Sequence, residues 1–350
     1  MKVDYLIVGQ GLAGSLLAYE MRRAGHSFLV IDNPNKPKAS DVAAGVVNPV
    51  VFRRMTKSWL IDELYPHLLK TYTELEKFLN VKLFYPMPIK KVVGKGDSDF
   101  WKQKYTENEL YPYITPNTEA LNNSFVHAEF GAGTVATSGR VDLKLLVNKM
   151  KTHLANKGIL REEEFDFAQL QRSEDGITYR TISAQKVIFC EGHSASKNPF
   201  FQDIRFKHTK GEVLRVQAES YNEHFILNKA IFLMPEGNQY YRLGATYDWH
   251  NLSTETTEEA RIELQKKLEK IFTDKYHIVD HQAGIRPTTH DRRPVIGLHP
   301  GHQQIGIFNG LGSKGTMLGP YFARQFVNFL VGNSQLDSEV DINRYFRHRE

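Results

Sequence analysis

Cysteine is nearly absent from this chain. Cys190 is the only one in 350 residues, which excludes an internal disulfide and a cysteine-based zinc cluster. Long apolar runs are also missing. The apolar segment at the N-terminus is broken by glycines and too short to span a bilayer, and no leader pattern accompanies it. These absences predict a cytoplasmic protein without membrane contact. No repeat or low-complexity tract is visible. His290, His299 and His302 read as loop residues, since their spacing does not make a metal site, and no metal is expected. Charge of one sign does not dominate either. Charged residues make up 24% and hydrophobic ones 41%, with a formal net charge of +5, an ordinary globular balance in a chain long enough for about two domains. Basic clusters at Arg53-Arg54-Lys57, Lys90-Lys91 and Arg344-Arg347-Arg349 read as solvated faces ahead of nucleic-acid contact.

What the chain has is glycine in informative places. Val3 to Val8 is a short apolar run rich in β-branched residues, as in a parallel strand covered on both faces. Gly9, Gln10, Gly11, Leu12, Ala13 and Gly14 follow at once in the G-x-G-x-x-G spacing. Gly9 permits the tight turn, Gly11 lets a pyrophosphate approach the backbone, and Gly14 lets the next helix pack closely. That helix is predicted over 13–24, with Gly25 as its cap. Its N-terminus offers free N–H groups to phosphates. A second strand, Phe28 to Ile31, ends in Asp32, where a ribose hydroxyl acceptor should stand. No Arg or Lys precedes Lys36, which favours a free 2′-hydroxyl.

Further along, the polar stretch 33–41 reads as a loop leading to Ala44-Gly45, small residues that would let backbone approach a flat ligand. Helices are predicted over 58–79, 143–156 (capped by Asp142) and 257–272. Residues 125–137 read as strand. Lys186 to Cys190 is a strand running into Glu191-Gly192, of the kind that sits beside the first strand of a dinucleotide domain. Residues 210–247 read as antiparallel, turning at Pro235 to Asn238.

Two more stretches carry chemistry. Ile305 to Phe308 passes through Asn309-Gly310-Leu311-Gly312-Ser313-Lys314-Gly315 into a helix from Thr316. A second glycine turn before a helix is a second anion site. A nicotinamide enzyme has no obvious need of one, whereas a flavin gathers negative charge near N1 and the C2 oxygen, which N–H groups from Gly312 to Gly315 can stabilise. An ordinary strand–helix connection is the alternative. The other stretch is Gly284-Ile285-Arg286-Pro287-Thr288-Thr289. Arg286, stiffened by the following proline, can grip a carboxylate bidentately or serve as a structural arginine. Tyr241 and Tyr247 lie near the matching strands. Each can hydrogen-bond a substrate carboxylate or amine, or pack across the sheet.

Taken in order, Gly9 to Gly14 with Asp32, the Ala44-Gly45 loop, Gly284 to Thr289 continuing through Asp291 and Pro294 to Gly297, and the closing Gly310-to-Pro320 loop resemble the D-amino-acid oxidase and glycine oxidase family of FAD flavoproteins. The resemblance covers nearly the whole chain. It implies an α/β fold: a doubly wound, Rossmann-like FAD domain interleaved with an α+β substrate domain on an antiparallel sheet. The expected division is 1–83, 139–204 and 286–350 for FAD, and 84–138 and 205–285 for substrate. It implies oxidation of a C–N bond by hydride transfer to flavin N5, with Arg286 on the substrate carboxylate and the Ser313-Lys314-Gly315 loop facing the flavin. Leu311-Gly312-Ser313-Lys314-Gly315, where glycine-oxidase-like members have an arginine-bearing aromatic loop, resembles, with Asp291-Arg292-Arg293-Pro294 and Lys210-Gly211-Glu212-Val213, the C-terminal oxidase domain of the bifunctional tRNA 5-methylaminomethyl-2-thiouridine enzyme, which removes a carboxymethyl group from a wobble uridine. With Cys190 in a core strand and no histidine in 40–49, FAD is expected to be noncovalent.

Three function classes stay open at this point: an amino-acid or secondary-amine oxidoreductase, an RNA-modifying oxidase acting on tRNA, and a nicotinamide dehydrogenase or noncatalytic Rossmann module. Oligomeric state is not legible.

Overall fold

A computed structural model describes residues 1–107 and 109–346; Arg347 and Arg349 of the basic C-terminal cluster lie outside the described residues. Two sheets dominate. The first has eight strands. Lys2–Val8 lies at its centre, parallel to Phe28–Asp32 on one side and to Ile182–Phe189 on the other. His302–Asn309 continues the parallel order beyond Ile182–Phe189, and Leu160–Glu162 flanks Phe28–Asp32. One face is covered by the helices Leu12–Arg23, Ile61–Leu79, Leu143–Asn156 and Gly315–Leu330. The other is covered by an apolar cluster that includes Phe165, Tyr179, Phe189 and Phe201. Burial on both faces explains why Leu6, Ile7, Leu29, Val30 and Ile31 form a continuous apolar run rather than an alternating one.

The second sheet has seven strands in the order Tyr276–Arg286, Thr209–Ala218, Tyr240–Gly244, Ile231–Gly237, Ile226–Lys229, Ile89–Val92 and Ala132–Val135. Its first four strands are antiparallel. Helix Glu258–Glu269, capped by the Thr257 hydroxyl, packs on one face through Leu264 and Leu268. The other face looks toward the glycine turns of the first sheet. Tyr276–Arg286 feeds directly into the segment leading to Val295–His299 of the first sheet, so the second sheet is tied to the first at Arg286.

Local signals placed most helices within a few residues. Asp142 accepts from the Leu145 N–H at 3.0 Å and starts its helix as expected. Three readings differ. The 33–41 loop ends in a short helix, Ala39–Val42. The expected 125–137 strand shrinks to Ala132–Val135. The antiparallel turn sits at Asn238 and Gln239, both with positive φ (50° and 61°), two residues later than the expected Pro235-to-Asn238 turn. A type I′-like pair lets Ile231–Gly237 and Tyr240–Gly244 keep their twist. None of the described helices is long and apolar enough to cross a membrane. Arg344 is no solvated face: its Nε donates to Asp291 at 3.0 Å and its Nη2 to the Pro294 carbonyl at 2.9 Å.

Candidate active site

A cavity of about 410 Å³ runs between the two sheets, from Asp32 and Lys36 past the first glycine turn to Arg286 and Tyr247. At its first end the three glycines divide the work as their spacing implies. Gly9 has φ +101°, and a Cβ there would lie 2.5 Å from the Cys190 carbonyl oxygen. A Cβ on Gly14 would lie 1.9 Å from the Gly9 oxygen, so that glycine sets the helix against the turn. Gly11 is different. The nearest protein atom to its Cβ position is Ser40 Oγ at 3.7 Å, and its open side faces the cavity. No side chain caps the Leu12–Arg23 helix, so its first N–H groups, at Leu12 and Ala13, are left for a ligand. Ser40 Oγ is buried beside them without a hydrogen-bond partner among the described residues. An open glycine, an uncapped helix start and an orphaned hydroxyl fit the pyrophosphate of a dinucleotide.

Asp32 is buried, and it accepts from the Gln10 N–H at 2.8 Å and from Lys38 Nζ at 2.7 Å. The acid thus braces the turn and is ion-paired, a partnership the sequence reading missed. Glu191 also lines the cavity. Burial pushes its carboxyl up to about 7, against the opposing hydrogen bond that Asn198 Nδ2 donates at 2.7 Å. Gly192 lies in the same wall. Ala44 and Gly45 do line the cavity, but Gly45 is required by the protein itself. Its φ is +70°, and a Cβ would lie 1.9 Å from the Val141 oxygen.

The second glycine turn holds fewer free donors than its sequence suggests. The Gly312 N–H donates to the Pro287 carbonyl at 3.0 Å and the Lys314 N–H to the Leu311 carbonyl at 3.3 Å. Ser313, Gly315 and Thr316 line the cavity. Gly310 does not reach it; a Cβ there would press on Thr289, Val295 and Arg293. The Lys314 side chain turns away as well. Its ammonium donates to Ser58 Oγ, and burial pushes its pKa down to about 8. The Thr316 carbonyl accepts from the Tyr72 hydroxyl at 2.7 Å, which anchors the helix start to the core.

At the far end the second sheet supplies the cavity's ceiling. Strand pairing puts Val213 opposite Gly244, and Gly244 opposite Phe232. These side chains share the cavity face. Arg286 projects from the last residue of its strand. Its Nη1 donates to the Lys210 carbonyl at 3.1 Å and its Nη2 to the Thr246 carbonyl at 3.2 Å. Its Cζ stands 4.3 Å from the centre of the Tyr247 ring. Burial lowers its pKa, but a guanidinium stays charged, and no carboxylate pairs with it among the described residues. Tyr247, expected as a substrate-binding residue, therefore meets the cavity through its ring contact with Arg286.

Tyr241 is a correction. It is 2% exposed, and its hydroxyl donates to the Tyr221 carbonyl at 2.8 Å. It packs with Leu214, Leu243 and Phe272 on the helix side of the sheet. Side chains alternate along a strand, so Arg242 and Gly244 take the opposite face. The sequence reading also missed Gly211, Val213, Asn228 and Phe232, all on the cavity wall. Only Gly211 and Val213 carried a signal, as part of the Lys210-to-Val213 motif.

Comparison with known proteins decides the family. A model described as DAO, FAD dependent oxidoreductase, matches residues 4–328. The chain belongs to this family. DAO family membership makes it an FAD-dependent oxidoreductase and sets aside the nicotinamide dehydrogenase. Glycine oxidase from Pseudomonas aeruginosa is 21% identical, over 96% of this chain and 97% of that one. Among solved structures, iminodiacetate oxidase from Chelativorans sp. BNC1 matches with a TM-score of 0.79 at 20% identity, covering 98% of each chain. Glycine oxidase from Bacillus cereus matches with a TM-score of 0.78 at 18% identity, over 96% of this chain and 99% of that chain. The DAO fold, an α/β sheet domain beside a mostly antiparallel sheet with one parallel pair, is thus the fold of this chain.

Proposed function

We propose that the protein oxidises the C–N bond of an amino acid or secondary amine that carries a carboxylate. FAD held noncovalently by the Gly9–Gly14 turn and the Ser313–Thr316 helix start supplies the acceptor for a hydride leaving the carbon beside the amine nitrogen. The cofactor belongs to segments 1–83, 139–204 and the described residues from 286 onward, and the substrate to 84–138 and 205–285, with Arg286 at the join, as the last residue of a substrate-sheet strand. The observation that carries the reading is Arg286: a half-buried guanidinium facing the cavity with backbone carbonyls as its acceptors and no carboxylate partner among the described residues. A substrate carboxylate completes it. No acid–base pair is needed. If the amine binds neutral, its lone pair drives the departure of hydride, the C–N single bond becomes C=N, and the nitrogen releases its proton to solvent. The site then has only to orient the C–H bond. The names of the glycine and iminodiacetate oxidases support the amino-acid class.

The deciding experiment is anaerobic bleaching of the flavin by a panel of amino acids and N-alkyl glycines, in wild type and in Arg286→Ala. Bleaching by a carboxylate-bearing amine, with its affinity lowered more than about tenfold in Arg286→Ala, is the expected result; a charged pair with one partner removed loses about 2–5 kcal/mol. Equal affinity in the two proteins sinks the reading.

A nucleoside-bearing amine, as in a tRNA wobble uridine, is the second reading. It rests on one observation: Tyr247 and Trp249 are 57% and 47% exposed and stack 6.1 Å apart beside Arg286, a surface on which a base can stack. Salt-dependent retention on tRNA, lost in Trp249→Ala, supports it; no retention at low salt removes it.

A further inference from the structure

The cavity's charges show which amino acids it takes. Among the described residues lining it, the lysines and arginines are Lys36, Lys38 and Arg286. Lys36 pairs with Glu164 at 2.6 Å and Lys38 with Asp32 at 2.7 Å, both at the end next to the first glycine turn. Arg286 is the one without a carboxylate. His193 also lines the wall, but burial lowers its pKa and favours the neutral ring. Arg242 shares the cavity face of the sheet, yet its Nε is bound to Glu236 at 2.7 Å and its Nη1 to the Val42 carbonyl at 2.8 Å.

Past Arg286 the ceiling is apolar. Gly211 and Val213 lie two residues apart on one strand. Gly244, opposite Val213, leaves room for the Phe232 ring: a Cβ at Gly244 would lie 2.8 Å from Val213 Cγ1 and 3.1 Å from Phe232 Cζ. Ala230 and Ala245 extend this surface. Asn228 is the polar group nearby, and its amide already donates to the Ile231 carbonyl at 3.1 Å.

Building on the amino-acid reading above, we propose that the substrate is a monocarboxylate with an apolar substituent on its nitrogen or α-carbon. Arg286 holds the carboxylate, and the Val213–Phe232 surface selects the apolar group and rejects dicarboxylates. A second carboxylate would be buried against Phe232 and Val213 with no lysine or arginine lining the wall there; Lys91, which strand pairing puts on the same face, holds its ammonium over the Phe52 ring, and burying an unpaired charge is costly. Phe232 is the specificity-determining residue. The iminodiacetate oxidase that shares the fold is named for a dicarboxylate, so this chain differs from that protein in substrate although the backbones match.

The test uses the FAD-loaded protein. Anaerobic flavin reduction is measured with N-propylglycine and with iminodiacetate, in wild type and in Phe232→Arg. Wild type is expected to be reduced at least tenfold more efficiently by N-propylglycine, and Phe232→Arg to move that ratio at least tenfold toward iminodiacetate. A second measurement needs no variant: titration of the wild-type flavin spectrum with butanoate and with succinate, where butanoate is expected to bind at least tenfold more tightly. Iminodiacetate equal to N-propylglycine in wild type, or succinate equal to butanoate, overturns the proposal while leaving the amino-acid reading intact. Bleaching by no amino acid, in protein whose flavin dithionite still reduces, overturns both.

Discussion

The guanidinium of Arg286 lies directly over the backbone of Gly211. A Cβ on Gly211 would stand 2.0 Å from Nη2 and 2.5 Å from Nη1 of Arg286. The glycine is not there for a turn; it leaves the space in which the arginine lies flat, between the sheet and the Tyr247 ring. Gly211→Ala is therefore expected to displace Arg286 and weaken binding of glycolate, read from the flavin spectrum, by about tenfold or more. Flavin content should not change. In the Arg286→Ala background the same substitution should cost little further, because both act through one guanidinium. Additive losses would show that Gly211 acts by another route.

Gly11 is open on its cavity side, unlike Gly9 and Gly14, whose Cβ positions lie within 2.5 Å of backbone oxygens. Gly11→Val should fold, with thermal stability close to that of the flavin-free wild type, and should purify colourless because its side chain fills the pyrophosphate position. A fully yellow Gly11→Val protein would place the cofactor elsewhere.

Tyr241 is a core residue with a buried hydrogen bond to the Tyr221 carbonyl. Tyr241→Phe should lower unfolding free energy by about 1 kcal/mol, the usual net worth of such a bond, and leave KM and carboxylate affinity unchanged. A selective rise in KM at unchanged stability would return Tyr241 to the substrate site.

Glu191 has a carboxyl raised by burial from 4.5 to about 7. The folded chain then holds a proton that the unfolded chain has lost, so this residue's contribution is fully present below about pH 4.5 and is lost as pH rises through about 7. Glu191→Gln keeps an acceptor for Asn198 and cannot ionise. In urea titrations of FAD-free protein, its stability relative to wild type should climb between pH 4.5 and 7 and then level off. A constant difference across that range would mean Glu191 does not titrate there.

The first glycine turn was legible because every requirement on it is local. Strand, turn, open Gly11 and helix start lie within twenty residues, and their periodicities are those of buried strand and helix. Arg286 was legible for a similar reason, through the glycine and proline that frame it. Tyr241 was not. Both faces of its sheet are covered, one by the Glu258–Glu269 helix and one by the cavity, so both faces accept apolar and aromatic side chains. Which face a residue takes depends on a one-residue parity set by where the Asn238–Gln239 turn falls. The partners of Lys314 and Asp32 were not legible because the fold supplies them: Ser58 lies 256 positions away from Lys314, and Lys38 returns to Asp32 through the Ala39–Val42 helix entry.

By itself the sequence determined the local motifs: a dinucleotide turn with its acid, a second glycine turn and a framed arginine, each specified by short-range sterics and hydrogen-bonding need. Only the tertiary structure decided how much of that machinery meets the cavity. Pairing of Thr209–Ala218 with Tyr276–Arg286 brings Gly211 under Arg286, and pairing through Gly244 sets Phe232 beside Val213. Those neighbours are far apart in the chain. Their contact is decided by strand register, which balances the burial of two whole faces and has no local signature.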